Sequence, residues 1–173
     1  KVLTDSNVRR RNSGYYDSTG FHQQAGEMVE ASATNLLVSS EDLTTTWLLN
    51  AATVSATNVV APDGNSTADT LLANAGAGAI PRIGSVANVT AAPYTISAWV
   101  KKGTYDFVQI YINSQAADYA NFDINTGVVG TVGGSGSASI QKWLNGWYKI
   151  IYTYTPANTD RRPFFMLAAS ASA

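Results

Sequence analysis

Tyr94-Thr95-Ile96-Ser97-Ala98-Trp99-Val100-Lys101 alternates without a break between two kinds of position. A period of two belongs to an extended strand with one face buried. Tyr94, Ile96, Ala98 and Val100 fall on one face, and Thr95, Ser97, Trp99 and Lys101 on the other. A core does not take a lysine, so the second face is the outer one. Trp99 is therefore expected on a wet face, where a large aromatic side chain needs a reason.

Three later stretches repeat the pattern. In Phe107–Asn113, Val108, Ile110 and Ile112 share the apolar side, with Phe107, Gln109, Tyr111 and Asn113 opposite. In Tyr119–Asn125, Ala120, Phe122 and Ile124 point in, and Tyr119, Asn121 and Asp123 point out. Trp147–Thr155 has Tyr148, Ile150, Tyr152 and Tyr154 in one row and Trp147, Lys149, Ile151 and Thr153 in the other. Both of those rows carry bulk, so its register is the least determined. Read together, the four strands present one outer face. Its candidate glycan-binding residues are Trp99, Lys101, Phe107, Gln109, Tyr111, Tyr119, Asn121, Asp123, Trp147 and Lys149. Flat aromatic rings suit the C–H patches of a sugar, and the interleaved amides and charges suit its hydroxyl belt. Three fates are open to such a face: a ligand, a neighbouring subunit, or a cover from its own chain.

The 173 residues are enough for one domain with a real core and a short arm. A net charge of -1 gives no general attraction to nucleic acid or to a membrane surface. With no cysteine, disulfides and thiolate metal sites are excluded. No apolar run reaches transmembrane length. Charged residues make up 13%, about half the usual share, and Thr, Ser, Asn, Ala and Gly fill the gap. This composition, rich in Tyr and Trp, fits an all-β extracellular or virion-type surface. Lys1 in place of Met is read as a mark of processing or excision from a longer chain.

Residues 1–33 stand apart as an expected extended N-terminal arm with small hairpins. It holds the only basic run, Arg9-Arg10-Arg11, and the turn signals Asn12-Ser13-Gly14 and Asp17-Ser18-Thr19-Gly20 around Tyr15-Tyr16. It is read either as a solvated lead-in or as a docking arm. The domain proper, residues 34–173, is expected to open with a strand at Asn35–Ser40. A turn should then lead to a buried Trp47. Strands are predicted at Ala51–Val60, Ala68–Ala73, Ile80–Val86, Asn88–Thr90, Ser137–Lys142 and from Phe164. Turns are predicted at Ala61–Asn65, Asn125–Gly127 and Asn145-Gly146. Trp143 and Tyr148 are assigned to the core. Nine or ten short strands with no helical period make a two-sheet antiparallel sandwich, most simply a jelly roll.

Catalytic chemistry finds little to work with. His22 is the single histidine and lies in the arm, without a second His or nearby acids to make a metal site. No Ser-His-Asp set and no phosphate-cradling Gly motif can be assembled. Asp106, Asp118 and Asp123 are the acids near the outer face, and none is set for the paired-carboxylate chemistry of a glycosidase. Glu41, Asp42, Asp63 and Asp69 lie in loops or at edges, so calcium is a possible cofactor with no assignable ligands. The chain is read as non-enzymatic.

Five ordered stretches carry a resemblance. They are Thr34-Asn35-Leu36-Leu37-Val38-Ser39-Ser40-Glu41-Asp42-Leu43 before Trp47, Ala61-Pro62-Asp63-Gly64-Asn65-Ser66-Thr67-Ala68-Asp69, Tyr94–Lys101, Phe122-Asp123-Ile124-Asn125-Thr126-Gly127 and Asn145-Gly146-Trp147-Tyr148-Lys149. In order and spacing, over residues 34–155, they resemble a domain frequent in bacteriophage tail, fibre and other virion proteins. The Tyr15–Gly20 stretch resembles the lead-in of such proteins. The resemblance implies a jelly-roll sandwich similar to carbohydrate-binding modules, and it brings no catalytic residues. It implies location on the virion, with other virion subunits as partners in a homo-oligomer (a trimer favoured) and with host surface polysaccharide as the ligand. Neither nucleic acid nor membrane insertion is expected. That family continues past Phe164–Ala169 with a further strand, so the domain is expected to be incomplete at its C-terminus. A continuation or a neighbouring chain would then supply the missing pairing. A purely structural capsid- or tail-decorating subunit, with arm and aromatic face packed on neighbours, is the alternative.

Overall fold

In a computed structural model, residues 7–10, 15–17, 20–22, 28–31, 34–76, 78–85, 90–113, 118–156 and 162–170 are described. The chain forms two compact units, Lys1–Leu36 and Leu37–Ala173. In the first, β1 (Asn7–Arg10) pairs antiparallel with β4 (Met28–Ala31), and β2 (Tyr15–Asp17) with β3 (Gly20–His22). The side chains of residues 1–33, Arg11, the Asn12–Gly14 turn and Ser18-Thr19 of the second expected turn lie outside the described residues.

The second unit is all-β, and every strand pairing in it is antiparallel. A six-stranded sheet runs, edge to edge, through β12 (Val128–Val132), β11 (Tyr119–Asp123), β10 (Phe107–Ile112), β15 (Pro163–Ala168), β8 (Arg82–Gly84) and β5 (Leu48–Asn50). A three-stranded sheet runs β13 (Ser137–Lys142), β14 (Trp147–Tyr154) and β9 (Tyr94–Lys101). The hairpin of β6 (Ala52–Val59) and β7 (Ala68–Ala73) stands beside them.

One apolar cluster draws on both sheets, which is the arrangement of a β-sandwich. Ile96, Tyr148, Ile150, Tyr152 and Tyr154 come from the short sheet; Val108, Ile110, Ile112, Ala120 and Phe122 come from the long one. The period of two foresaw this inward set in β9, β10, β11 and β14. Ile110, Ile112, Phe122, Ile150 and Tyr152 are fully buried. Each contributes on the order of 2–3 kcal/mol by leaving water.

The single outer face expected of four strands does not exist. β9 and β14 belong to one sheet, and β10 and β11 to the other. Consecutive strands are neighbours only about two-thirds of the time, and here residues 102–106 carry the chain from one sheet to the other. That crossing is pinned by Lys102, whose Nζ lies 2.6 Å from Asp106 Oδ1 and donates to Asn125 Oδ1 at 2.8 Å.

Other expectations also change. Asn35–Ser40 is not a strand: residues 37–41 turn, Ser39 takes φ 54°, and Asp42 N–H donates to Ser39 O. Ser-Ser-Glu-Asp competes for local backbone bonds more effectively than for a ladder. Trp47 is half-buried, with its ring 6.4 Å from that of Phe165 and its Nε1 donating to Ser39 O. The strand expected at Ile80–Val86 shrinks to Arg82–Gly84, and most of Asn88–Thr90 lies outside the described residues. β15 is paired on both sides, by β10 and β8, so it is no open edge.

The turns fall where predicted. Gly64 N–H closes on Ala61 O at 3.0 Å, and Asp63 Oδ1 accepts the Asn65 N–H. Asn145 and Gly146 both take positive φ (58° and 80°), and Trp147 N–H donates to Leu144 O. That is a type I′ turn, the hairpin turn Asn-Gly favours.

Candidate functional site

The outer row of the long sheet holds six of the ten candidates. Phe107, Gln109 and Tyr111 lie opposite Asp123, Asn121 and Tyr119 across β10 and β11. The row continues onto β15 and β8, with Gln109 opposite Met166 and Met166 opposite Arg82. Its centre is closed: Asn121 is 0% exposed and Gln109 9%. Gln109 Nε2 donates to Asn121 Oδ1 at 2.8 Å, an internal amide pair rather than a grip on a ligand. Asp123 is a turn residue. Its Oδ1 accepts the backbone N–H groups of Asn125 and Thr126 at 2.9 and 2.8 Å, and the Thr126 bond in particular holds its carboxyl below the usual range.

The short sheet holds the other four, and its outer face is the open one. Register places Trp99 opposite Lys149 and Lys149 opposite Gln141; Lys101 lies opposite Trp147. Trp99 is 40% exposed. Trp147 is not open, at 7% exposed, because its indole lies under the segment that follows β6 and donates to Val60 O at 3.0 Å. The intramolecular cover considered for this face is real at Trp147, whereas Trp99 stays 40% exposed.

The position missed from sequence is Trp143. Assigned to the core, it is 49% exposed, with its ring centroid 5.4 Å from that of Trp99 and the planes inclined at 58°. Parity could have found it. Ser137, Ser139, Gln141 and Trp143 form one alternating row, opposite in sense to the inward Ala138 and Ile140. The type I′ turn sets where that row ends, since Trp143 N–H donates to Trp147 O at 2.8 Å just before it.

The result is a platform. Two indoles form a tilted pair, and Lys149 Nζ lies 5.8 Å from the Trp99 centroid. Lys101 Nζ lies 6.0 Å from the Trp147 centroid. Around them the face is mostly hydroxylic, with Thr95 and Thr153 sharing a hydrogen bond at 2.9 Å and Ser97 and Ser139 flanking Ile151 in the next row. Such a surface can stack flat, weakly polar rings and hydrogen-bond their edges. It carries no carboxylate for proton transfer.

The loop acids considered for calcium serve their own backbone. Asp42 caps Thr44, Asp63 caps Asn65, and Asp69 Oδ2 accepts the Leu43 N–H. Among the described residues no group of three or more His, Asp or Glu side chains is placed to hold a metal ion.

Against protein-family models and curated proteins, the chain matches none.

Proposed function

We propose that this chain is a non-enzymatic adhesion module of a bacteriophage appendage, a jelly-roll sandwich that binds host surface glycan on the open face of its short sheet. The observation that carries the binding is the exposed Trp99–Trp143 pair with Lys149 beside it. Two large aromatic rings left in water on a strand face are costly unless something covers them. The jelly-roll reading is supported by the path of the chain, which changes sheet between β9 and β10, between β12 and β13, and again between β14 and β15. The virion setting rests on the resemblance of the five sequence stretches. Of the ten sequence candidates, this reading keeps Trp99, Lys101 and Lys149, adds Trp143 and Gln141, and releases those on the long sheet and Trp147.

A glycan array, followed by titration with host polysaccharide, tests it. Binding is expected for the native chain and lost in Trp99→Ala and in Trp143→Ala, both still folded by circular dichroism. Retention of binding in both variants would remove the basis of the proposal.

A second reading has its own support. Leu144, next in sequence to Trp143 and 73% exposed at the tip of the β13–β14 turn, is a further apolar side chain left in water, which suits a neighbouring subunit. In a purely structural subunit the pair would be buried between copies, a trimer being the first expectation. Light scattering decides it: a stable oligomer that Trp143→Ala dissociates favours assembly over glycan binding.

A further inference from the structure

Building on that glycan reading, we infer that the ligand is an anionic polysaccharide, one bearing carboxylates or phosphates. The outer positions of β9, β13 and β14 hold two lysines, Lys101 and Lys149, and no acid, in a chain whose net charge is -1. Among the described residues neither ammonium is paired with a carboxylate. Lys102, next in sequence, is instead bridged to Asp106. The two outer ammoniums lie over indoles, at 5.8 and 6.0 Å from the ring centroids. A cation resting on an aromatic ring keeps its N–H donors for another partner, because the ring takes none of them as a lone-pair acceptor would.

Geometry then selects the ligand. A sugar ring stacked on Trp99 sits about 4 Å above it, at van der Waals separation. Lys149 Nζ, 5.8 Å from the Trp99 centroid, is within reach of a sugar laid against the indole pair, where an acid group on the sugar's edge would meet it. Gln141, opposite Lys149 on β13, offers an amide to neighbouring hydroxyls. A neutral glycan would use the indoles and leave both ammoniums unanswered. An acidic one answers them and gains a charge-assisted hydrogen bond at each.

Biolayer interferometry on the full chain tests this with polygalacturonate, alginate, hyaluronate and polysialic acid. Each is compared with its carboxyl-reduced form, and dextran and mannan serve as neutral polymers. At least one acidic polymer is expected to bind, and carboxyl reduction is expected to weaken it about fivefold or more. Lys149→Gln and Lys101→Gln should each weaken the acidic form by a larger factor than its reduced form. If neutral or reduced polymers bind as tightly as acidic ones, the charge inference fails and the glycan reading stands. An equal fractional loss of both forms in both variants overturns it too, since the lysines would then only support the platform. Binding to no polymer at all removes both.

Discussion

The indole Nε1–H of Trp147 donates to the carbonyl oxygen of Val60, joining residues 87 apart in sequence at 3.0 Å. This bond ties the segment after β6 to the first residue of β14. Trp147→Phe deletes the donor and also half of the buried indole, so urea unfolding should show a loss of about 2–4 kcal/mol. Polysaccharide binding should survive, because the ring is already covered. Unchanged stability with lost binding would mean that Trp147 meets the ligand after all.

Trp99 and Trp143 should behave in the opposite way. Each is 40% or more exposed, so truncation forfeits little burial. Their ring contact itself should appear in a double-mutant cycle as about 0.5–1.5 kcal/mol of coupling. A coupling near zero would show that the tilted pair is not held together in solution.

Tyr152 and Tyr154 stack in the core with centroids 5.5 Å apart and planes 2° from parallel. The Tyr152 hydroxyl donates to Gly133 O, whereas the Tyr154 hydroxyl is buried without a partner among the described residues. Tyr154→Phe should therefore be neutral or stabilising by up to about 1 kcal/mol, and Tyr152→Phe destabilising by a similar amount. Denaturant midpoints of the two variants check the contrast.

The same pair sets an alkaline limit. Burial raises both phenols above their ordinary value of 10, Tyr152 to about 12 and Tyr154 further. A folded value above the unfolded one favours the neutral form in the fold. Their contribution is thus complete below pH 10 and lost as pH rises through the folded values. Unfolding midpoints should fall above pH 10, and less steeply in Tyr154→Phe. A flat profile to pH 11.5 would contradict this.

Three glycines answer to ring contacts. A Cβ on Gly84 would run into the Phe164 ring, one on Gly136 into the Tyr152 ring, and one on Gly127, at φ 78°, would lie 2.6 Å from the Tyr148 ring. Alanine at any of them should cost about 1–3 kcal/mol in thermal or urea unfolding. Gly103, with open space around it, should accept alanine with little change.

What the sequence revealed followed the reach of each signal. Alternation is local, so the inward rows of β9, β10, β11 and β14 could be read directly. Asn145-Gly146 and Asn125 through Gly127 specify turns by their own chemistry and could be read as well, although the part of Asp123 in the second could not. Which sheet a strand joins is not local: it depends on pairings such as β10 with β15, which join residues 51 to 61 apart. That is why Trp99 and Tyr111 were assigned to one surface when they stand on two. Trp143 was lost for a smaller reason. A tryptophan's bulk favours burial, but the parity of Ser139 and Gln141 points its row outward.

β15 lies between β10 and β8, so it joins the two halves of the long sheet. On the ribosome, β10, β11 and β12 emerge well before it, and until residues 163–168 follow they have no partner strand to bridge them to β8 and β5. The long sheet must therefore close late, after synthesis of its last member. A nascent chain arrested before Pro163 should resist protease far less than one released beyond Ala168.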